Sequence, residues 1–157
     1  MLNLNYANFA NAYRRYAALE TDSLFNSLGW AEKAGTPGYV RNGAVLTSLA
    51  LLSGGAPVCG SLMIEAGPLA GRKVCHGANR LAEWLAVRHT APEIMPLEKS
   101  MAEVCYALFG RRGIVAFIQG SGPQGGSMAL LDGRNAGPVC AAAEGKHPLE
   151  VRFWALS

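Results

Sequence analysis

The stretch Asn42-Gly43-Ala44-Val45-Leu46-Thr47-Ser48-Leu49-Ala50-Leu51-Leu52, followed by Gly54-Gly55, decides the fold. It carries no charged residue, so a helix over 42–53 is expected to be covered on most of its sides rather than along one stripe. Asn42 suits the N-cap, because its side-chain oxygen can accept from an unpaired amide of the first turn. The glycines that follow suit the helix end, where a left-handed residue is readily adopted. A helix of this kind needs partners on several faces, and the rest of the chain must supply them.

Upstream, Tyr6, Phe9, Tyr13 and Tyr16 recur at helical spacing. The spacing predicts an amphipathic helix over 5–19 with Arg14 and Arg15 on its wet side. Thr21 or Asp22 can cap a second, short helix through Leu24, Phe25 and Leu28 that stops at Gly29. Residues 33–41 hold Gly35, Pro37 and Gly38 and read as a loop. Downstream, Leu62-Met63-Ile64 and Leu69 to Val74 are short strand candidates around a Gly67-Pro68 turn. Leu81, Trp84, Leu85 and Arg88 predict a helix that ends near Pro92, and Met101, Val104, Cys105 and Leu108 another that ends at Gly110.

The last third changes character. Gly113 to Ile118 and Ser127 to Leu131 read as strands, with a flexible loop from Gly120 to Gly126 between them and an Asp132-Gly133 turn after the second. Pro138 to Ala142 and Leu149 to Trp154 complete the strand set. Helices first and strands last predict an α+β fold, with N-terminal helices packed on a C-terminal antiparallel sheet, in a single domain over 1–157.

Composition sets the outer bounds. The 157 residues are 50% hydrophobic and 16% charged, which fits a chain with a sizeable core and not a disordered one. A net charge of +3 without a basic stripe argues against nucleic acid as a partner. Met1-Leu2-Asn3-Leu4-Asn5-Tyr6 lacks the charged and apolar regions of a secretory signal. The longest apolar run, Ala44 to Leu52, is far shorter than the roughly 20 residues of a membrane span. The chain is therefore expected to be made in the cytoplasm, with no membrane span. Cys59, Cys75, Cys105 and Cys140 are widely spaced without a CxxC pair, so no metal site and no cofactor is expected. They read as buried small hydrophobes; a disulfide formed after export is the other reading, and spacing does not choose its pairing.

Residue chemistry by itself assembles no active site. There is no dinucleotide-binding glycine motif after a strand, no phosphate loop and no HExxH. His89 falls at the end of a helix, and His147 sits in a Lys-His-Pro loop. Cys75-His76 is the one adjacent thiol–imidazole pair, and neighbours in an extended segment point to opposite faces. Glu65 is a lone carboxylate beside a turn.

The order of segments nonetheless resembles one family. Asn5-Tyr6-Ala7-Asn8-Phe9 with Ala12-Tyr13, Asn42 opening the buried helix, Ala66-Gly67-Pro68-Leu69-Ala70-Gly71-Arg72, Gly110-Arg111-Arg112-Gly113-Ile114-Val115-Ala116-Phe117, Gly125-Gly126, Leu130-Leu131-Asp132-Gly133 and Phe153-Trp154 follow one another as they do in the fourth family of type VI secretion amidase effectors. These are small papain-like (NlpC-type) cysteine peptidases that cut peptidoglycan. The resemblance implies a papain-like α+β fold. It also implies a cysteine at the start of the buried helix, a histidine base on a central strand and an acidic residue that orients it.

Both reactive groups are missing where the resemblance places them. The family pattern around the nucleophile resembles Asn-x-Cys-Ala-x-Arg; here Arg41-Asn42-Gly43-Ala44-Val45-Leu46 puts Gly43 at the nucleophile and Leu46 at the arginine. The Gly-His pair of the strand motif falls on Gly126-Ser127. A shift of one residue rescues neither position. Glycine cannot be a nucleophile, and a serine has no useful pKa near neutrality as a base.

The resemblance therefore implies a catalytically degenerate homologue. It would bind a peptidoglycan stem peptide, an immunity-type protein or a component of the secretion machine in the disused cleft, after type VI delivery to the periplasm of a target cell. Asn42, Gly43, Ser127, Gly122 and Pro123 are its expected binding residues, and no catalytic residue is expected. An active amidase with a relocated nucleophile (Cys75, Cys59 or Ser127) and an unrelated α+β interaction module are the alternatives.

Overall fold

The computed structural model describes residues 4–96, 100–120 and 122–157. Met1 to Asn3 of the N-terminal reading and Ser121 of the glycine-rich loop lie outside the described residues. Six helices are described: α1 (Tyr6–Ala17), α2 (Thr21–Leu28), α3 (Gly43–Ser53), α4 (Ala78–Arg88), α5 (Met101–Leu108) and α6 (Ala136–Glu144). A 3-10 turn covers Ala31–Lys33. Two short strands, β1 (Leu62–Met63) and β2 (Lys73–Val74), form a small antiparallel hairpin. The main sheet is antiparallel in the order β3-β6-β4-β5, from β3 (Glu93–Pro96), β4 (Arg112–Ile118), β5 (Ser127–Asp132) and β6 (Glu150–Ala155).

α3 sits at the centre. Asn42 caps it, its Oδ1 accepting from the Val45 amide at 2.9 Å. Ala44, Ala50 and Leu51 pack with α1, α4 and the sheet residues Ile114, Ala116, Met128 and Leu130. Val45, Leu46, Leu49 and Leu52 pack on the other side with α2, Trp30 and the small hairpin. Contact on both sides explains why the helix is apolar all round and needs no wet face.

The sheet is covered on both faces. Its residues alternate: Ile114, Ala116, Met128, Leu130 and Trp154 face the α1–α3–α4 layer, while Val115, Phe117, Leu131, Val151 and Phe153 face α5 and α6. The sequence pattern anticipates the N-terminal helices on a C-terminal antiparallel sheet; α5 and α6 add a third layer behind it. The buried tryptophans satisfy their indole N–H groups, Trp30 donating to the Met63 carbonyl and Trp154 to the Thr90 carbonyl, both at 2.8 Å.

Four local readings change. Neither Thr21 nor Asp22 caps the second helix; both lie inside α2, whose N-cap position is Glu20. Pro138 to Ala142, grouped with the strands, lies inside α6. Pro138 falls in the first turn, where its missing N–H costs no hydrogen bond, and the Cys-Ala-Ala-Ala run behind it favours helix. Of Leu69 to Val74, only Lys73–Val74 is strand; Ala70 and Arg72 instead donate to the Gly67 and Leu69 carbonyls in consecutive turns. Glu93–Pro96, read only as the region after a helix end, is an edge strand paired to β6. No helix of the described residues is long and apolar enough to cross a membrane.

Candidate functional site: a groove at the edge of the sheet

β5 is the outer strand on one side of the main sheet, and the elements around it cover that edge. The Asn135 side chain donates to the Leu130 carbonyl at 2.8 Å and accepts from the Asp132 amide at 2.9 Å. Burial raises the phenol of Tyr13 on α1 above the usual range, against the opposing pull of the Leu130 backbone and of the Arg41 charge. Arg41 itself closes α1, donating to the Ala17 and Leu19 carbonyls at 2.6 and 2.9 Å.

The start of α3 meets the start of β5 here. A groove of about 450 Å³ is lined by Asn42, Gly43 and Ala44 from α3, by Gly126, Ser127 and Met128 from β5, and by one face of α6 with Lys146 beyond it. Met128 faces the α3 layer, so its neighbour Ser127 faces the α6 side. Gly43 and Ser127 thus line one groove from the two sides of the same edge strand.

Gly43 packs against the β5 backbone. A Cβ placed there would overlap the Met128 carbonyl oxygen and lie 2.7 Å from its carbonyl carbon. Backbone atoms cannot swing aside as a side-chain tip can. The absence of a side chain at residue 43 is therefore what lets α3 approach β5 this closely.

The glycine-rich loop is held in place rather than free. Asn79, in the first turn of α4, donates from Nδ2 to the Gln119 and Gly122 carbonyls at 2.7 and 2.8 Å and accepts the Gln119 amide on Oδ1 at 3.2 Å. The Asn79 and Arg80 amides, unpaired at a helix start, donate to the Gly125 and Pro123 carbonyls at 2.9 and 3.1 Å. Gln119 accepts the Gly126 amide at 3.0 Å and donates to the Lys146 carbonyl. The described part of this loop is the cap of α4. Its Gly122 and Pro123 line a second depression, with Arg80, Glu83 and Arg152, and not the groove that holds Asn42, Gly43 and Ser127. Asn79 and Gln119 have no signature in the sequence, because an isolated Asn and Gln carry no motif.

Of the two remaining candidate nucleophiles, Cys59 is partly buried, and Cys75 is 2% exposed and donates to the Gly77 carbonyl at 3.4 Å. The groups acting on its thiol are Cys59, Gly77 and Arg80. The neighbouring His76 ring packs over Gly38 instead, and its buried Nδ1 has no hydrogen-bond partner among the described residues. Burial, with the Arg80 charge, holds the His76 imidazole below the ordinary histidine range.

A central apolar helix whose N-terminus abuts the edge strand of an antiparallel sheet defines the class: a papain-like α+β fold. Solved structures that match this fold include type VI effectors. The chain superposes on the effector of the Tae4/Tai4 effector–immunity system from Salmonella typhimurium with a TM-score of 0.71 and 16% identity, over 99% of this chain and 100% of that one. It matches the Tae4–Tai4 type VI effector–immunity complex from Enterobacter cloacae at 0.68 and 15%, over 99% and 100%. It matches the type VI effector Tae4 from Enterobacter cloacae at 0.64 and 16%, over the whole of both chains. No protein-family model and no curated protein sequence matches the chain.

Proposed function

We infer that the chain is a catalytically silent counterpart of a type VI peptidoglycan amidase effector, and that it acts by binding in the groove between α3, β5 and α6. The observation that carries this reading is the contact of Gly43 with the Met128 carbonyl. The position expected to hold the nucleophile lacks both a thiol and the room for one. Ser127, at the position expected for the base, cannot supply a general base near neutrality.

What remains suits recognition. The first amides of α3 precede its first intrahelical bond and favour an anionic or carbonyl group. Lys146 adds a cation and Ser127 a neutral donor and acceptor on the same groove. A stem-peptide carboxylate matches that set. Delivery to the periplasm of a target cell would bring the groove to such peptides. An immunity-type protein is the other partner class this reading supplies, because structural neighbours are effectors bound to Tai4.

Gly43 is unsuited to a blocking substitution, since any side chain there meets backbone. Ala142 is exposed on the α6 face of the groove. Ala142→Trp fills the groove without entering the core. Titration calorimetry with a synthetic stem tetrapeptide, in which D-glutamate precedes a diamino acid, is expected to show binding to the wild type and a loss of roughly tenfold or more in the variant. Equal affinity for both proteins, or none for the wild type, overturns the groove as the stem-peptide site.

A further inference from the structure

The four cysteines are reduced in this structure, and they lie in two pairs. Cys59 packs against the core cluster that holds Cys75, and each thiol lies close enough to act on the other. The backbone holds them together: the Ser61 amide donates to the Val74 carbonyl at 3.1 Å, and Gly60 lies directly against Val74. Cys105 on α5 packs against the cluster that holds Cys140 of α6, on the opposite face of the sheet, and its thiol lies close enough to act on that of Cys140.

We propose that Cys59–Cys75 and Cys105–Cys140 are two disulfide sites that close when the chain meets an oxidising compartment. Each closure is thiol–disulfide exchange with a disulfide oxidant. A cysteine thiolate attacks one sulfur of the oxidant, breaks its S–S bond and releases a thiolate. The second cysteine then loses its proton and attacks the mixed disulfide. Two protein S–H bonds are replaced by one S–S bond, and the two electrons and two protons leave on the oxidant as two thiols. Export is part of the functional reading above; the pairing stands on the geometry and is independent of it.

The bridges would brace both sides of the site. Cys75 is two residues before Gly77, which opens α4 and packs against Pro123 and Gln124 of the capped loop. Cys140 lies on α6 between Val139 and Ala142, which line the groove. The first pair should close first. Cys59 and Cys105 are both partly exposed, so an external disulfide can reach either pair, and the order follows from the acidity of the thiols. The neighbouring Cys59 thiol, the Gly77 backbone and the Arg80 charge bring the Cys75 thiol down to about 7 against the opposing pull of burial, while Cys59 is pushed up by Cys75 and by burial. Burial, then Cys105 and Glu144, push Cys140 up to about 12.

The test uses the reduced full chain in glutathione disulfide, with alkylation in denaturant and peptide mass mapping over time. The expected result is the loss of all four alkylatable thiols, the 59–75 linkage appearing before the 105–140 linkage. Tm should rise on the order of 10–20 °C, reversibly with dithiothreitol. Cys59→Ser and Cys105→Ser alter the half-exposed partners, and each should remove only its own linkage. Linkages between the pairs, or thiols that persist in the folded wild type while unfolded chain oxidises, overturn the proposal.

Discussion

Replacing Gly43 by cysteine is expected to destabilise the fold by roughly 3 kcal/mol, in the upper part of the range for overpacking. The reason is local. The new Cβ meets the Met128 carbonyl, and relief requires the start of α3 to move from β5 or β5 to move from β4. Either motion disturbs the core that Ala44 and Met128 share. Gly137→Ala is the control, because a Cβ at Gly137 meets nothing within 4 Å. Within a helix that change should be neutral or stabilise by up to about 1 kcal/mol. Denaturant unfolding of the two variants separates steric closure at residue 43 from a general effect of losing a glycine. A Gly43→Cys variant as stable as the wild type would show that α3 and β5 yield there. The double variant Gly43→Cys with Ser127→His should release no muropeptides, since restored residue types do not restore the space.

Asn79→Ala is the second large effect. Three side-chain hydrogen bonds disappear, and the Gln119 amide loses its acceptor in a half-buried setting. Together with the loosened cap of α4, the expected cost is about 3 kcal/mol. For a chain of this size that lowers Tm by roughly 6–12 °C. Amide hydrogen exchange supplies the specific signature: protection should fall at Asn79, Arg80, Gln119 and Gly126 before it falls in β4. Unchanged exchange at these amides would mean that the loop is held by other contacts.

The parts of the molecule that were legible in the sequence share a property: their signals are local. Asn42 as a cap, Gly29 as a stop, the 42–53 run as an enclosed helix and the two strands around residues 113–131 each rest on a few consecutive residues. Glu93–Pro96 was hidden because a four-residue edge strand ending in proline has little pattern of its own; pairing with β6, more than fifty residues away, defines it. α6 was hidden by Pro138, which breaks helices everywhere except in their first turn.

The site was legible in part. Gly43 and Ser127 could be placed by the order of the surrounding segments, and both line the groove. The closure of β5 on Gly43 was not legible, because a glycine in sequence does not reveal what approaches it. The Asn79 knot and the two cysteine pairs depend on contacts between distant segments, which spacing does not encode.

Muropeptide chromatography of purified peptidoglycan tests most directly the proposed absence of amidase chemistry on this papain-like scaffold. Sacculi incubated with the wild-type chain, beside an active amidase effector as positive control, should give the profile of untreated sacculi. New fragments cut between D-glutamate and the following diamino acid, abolished by Cys75→Ser or Cys59→Ser, would contradict the account and place a working nucleophile elsewhere on the fold.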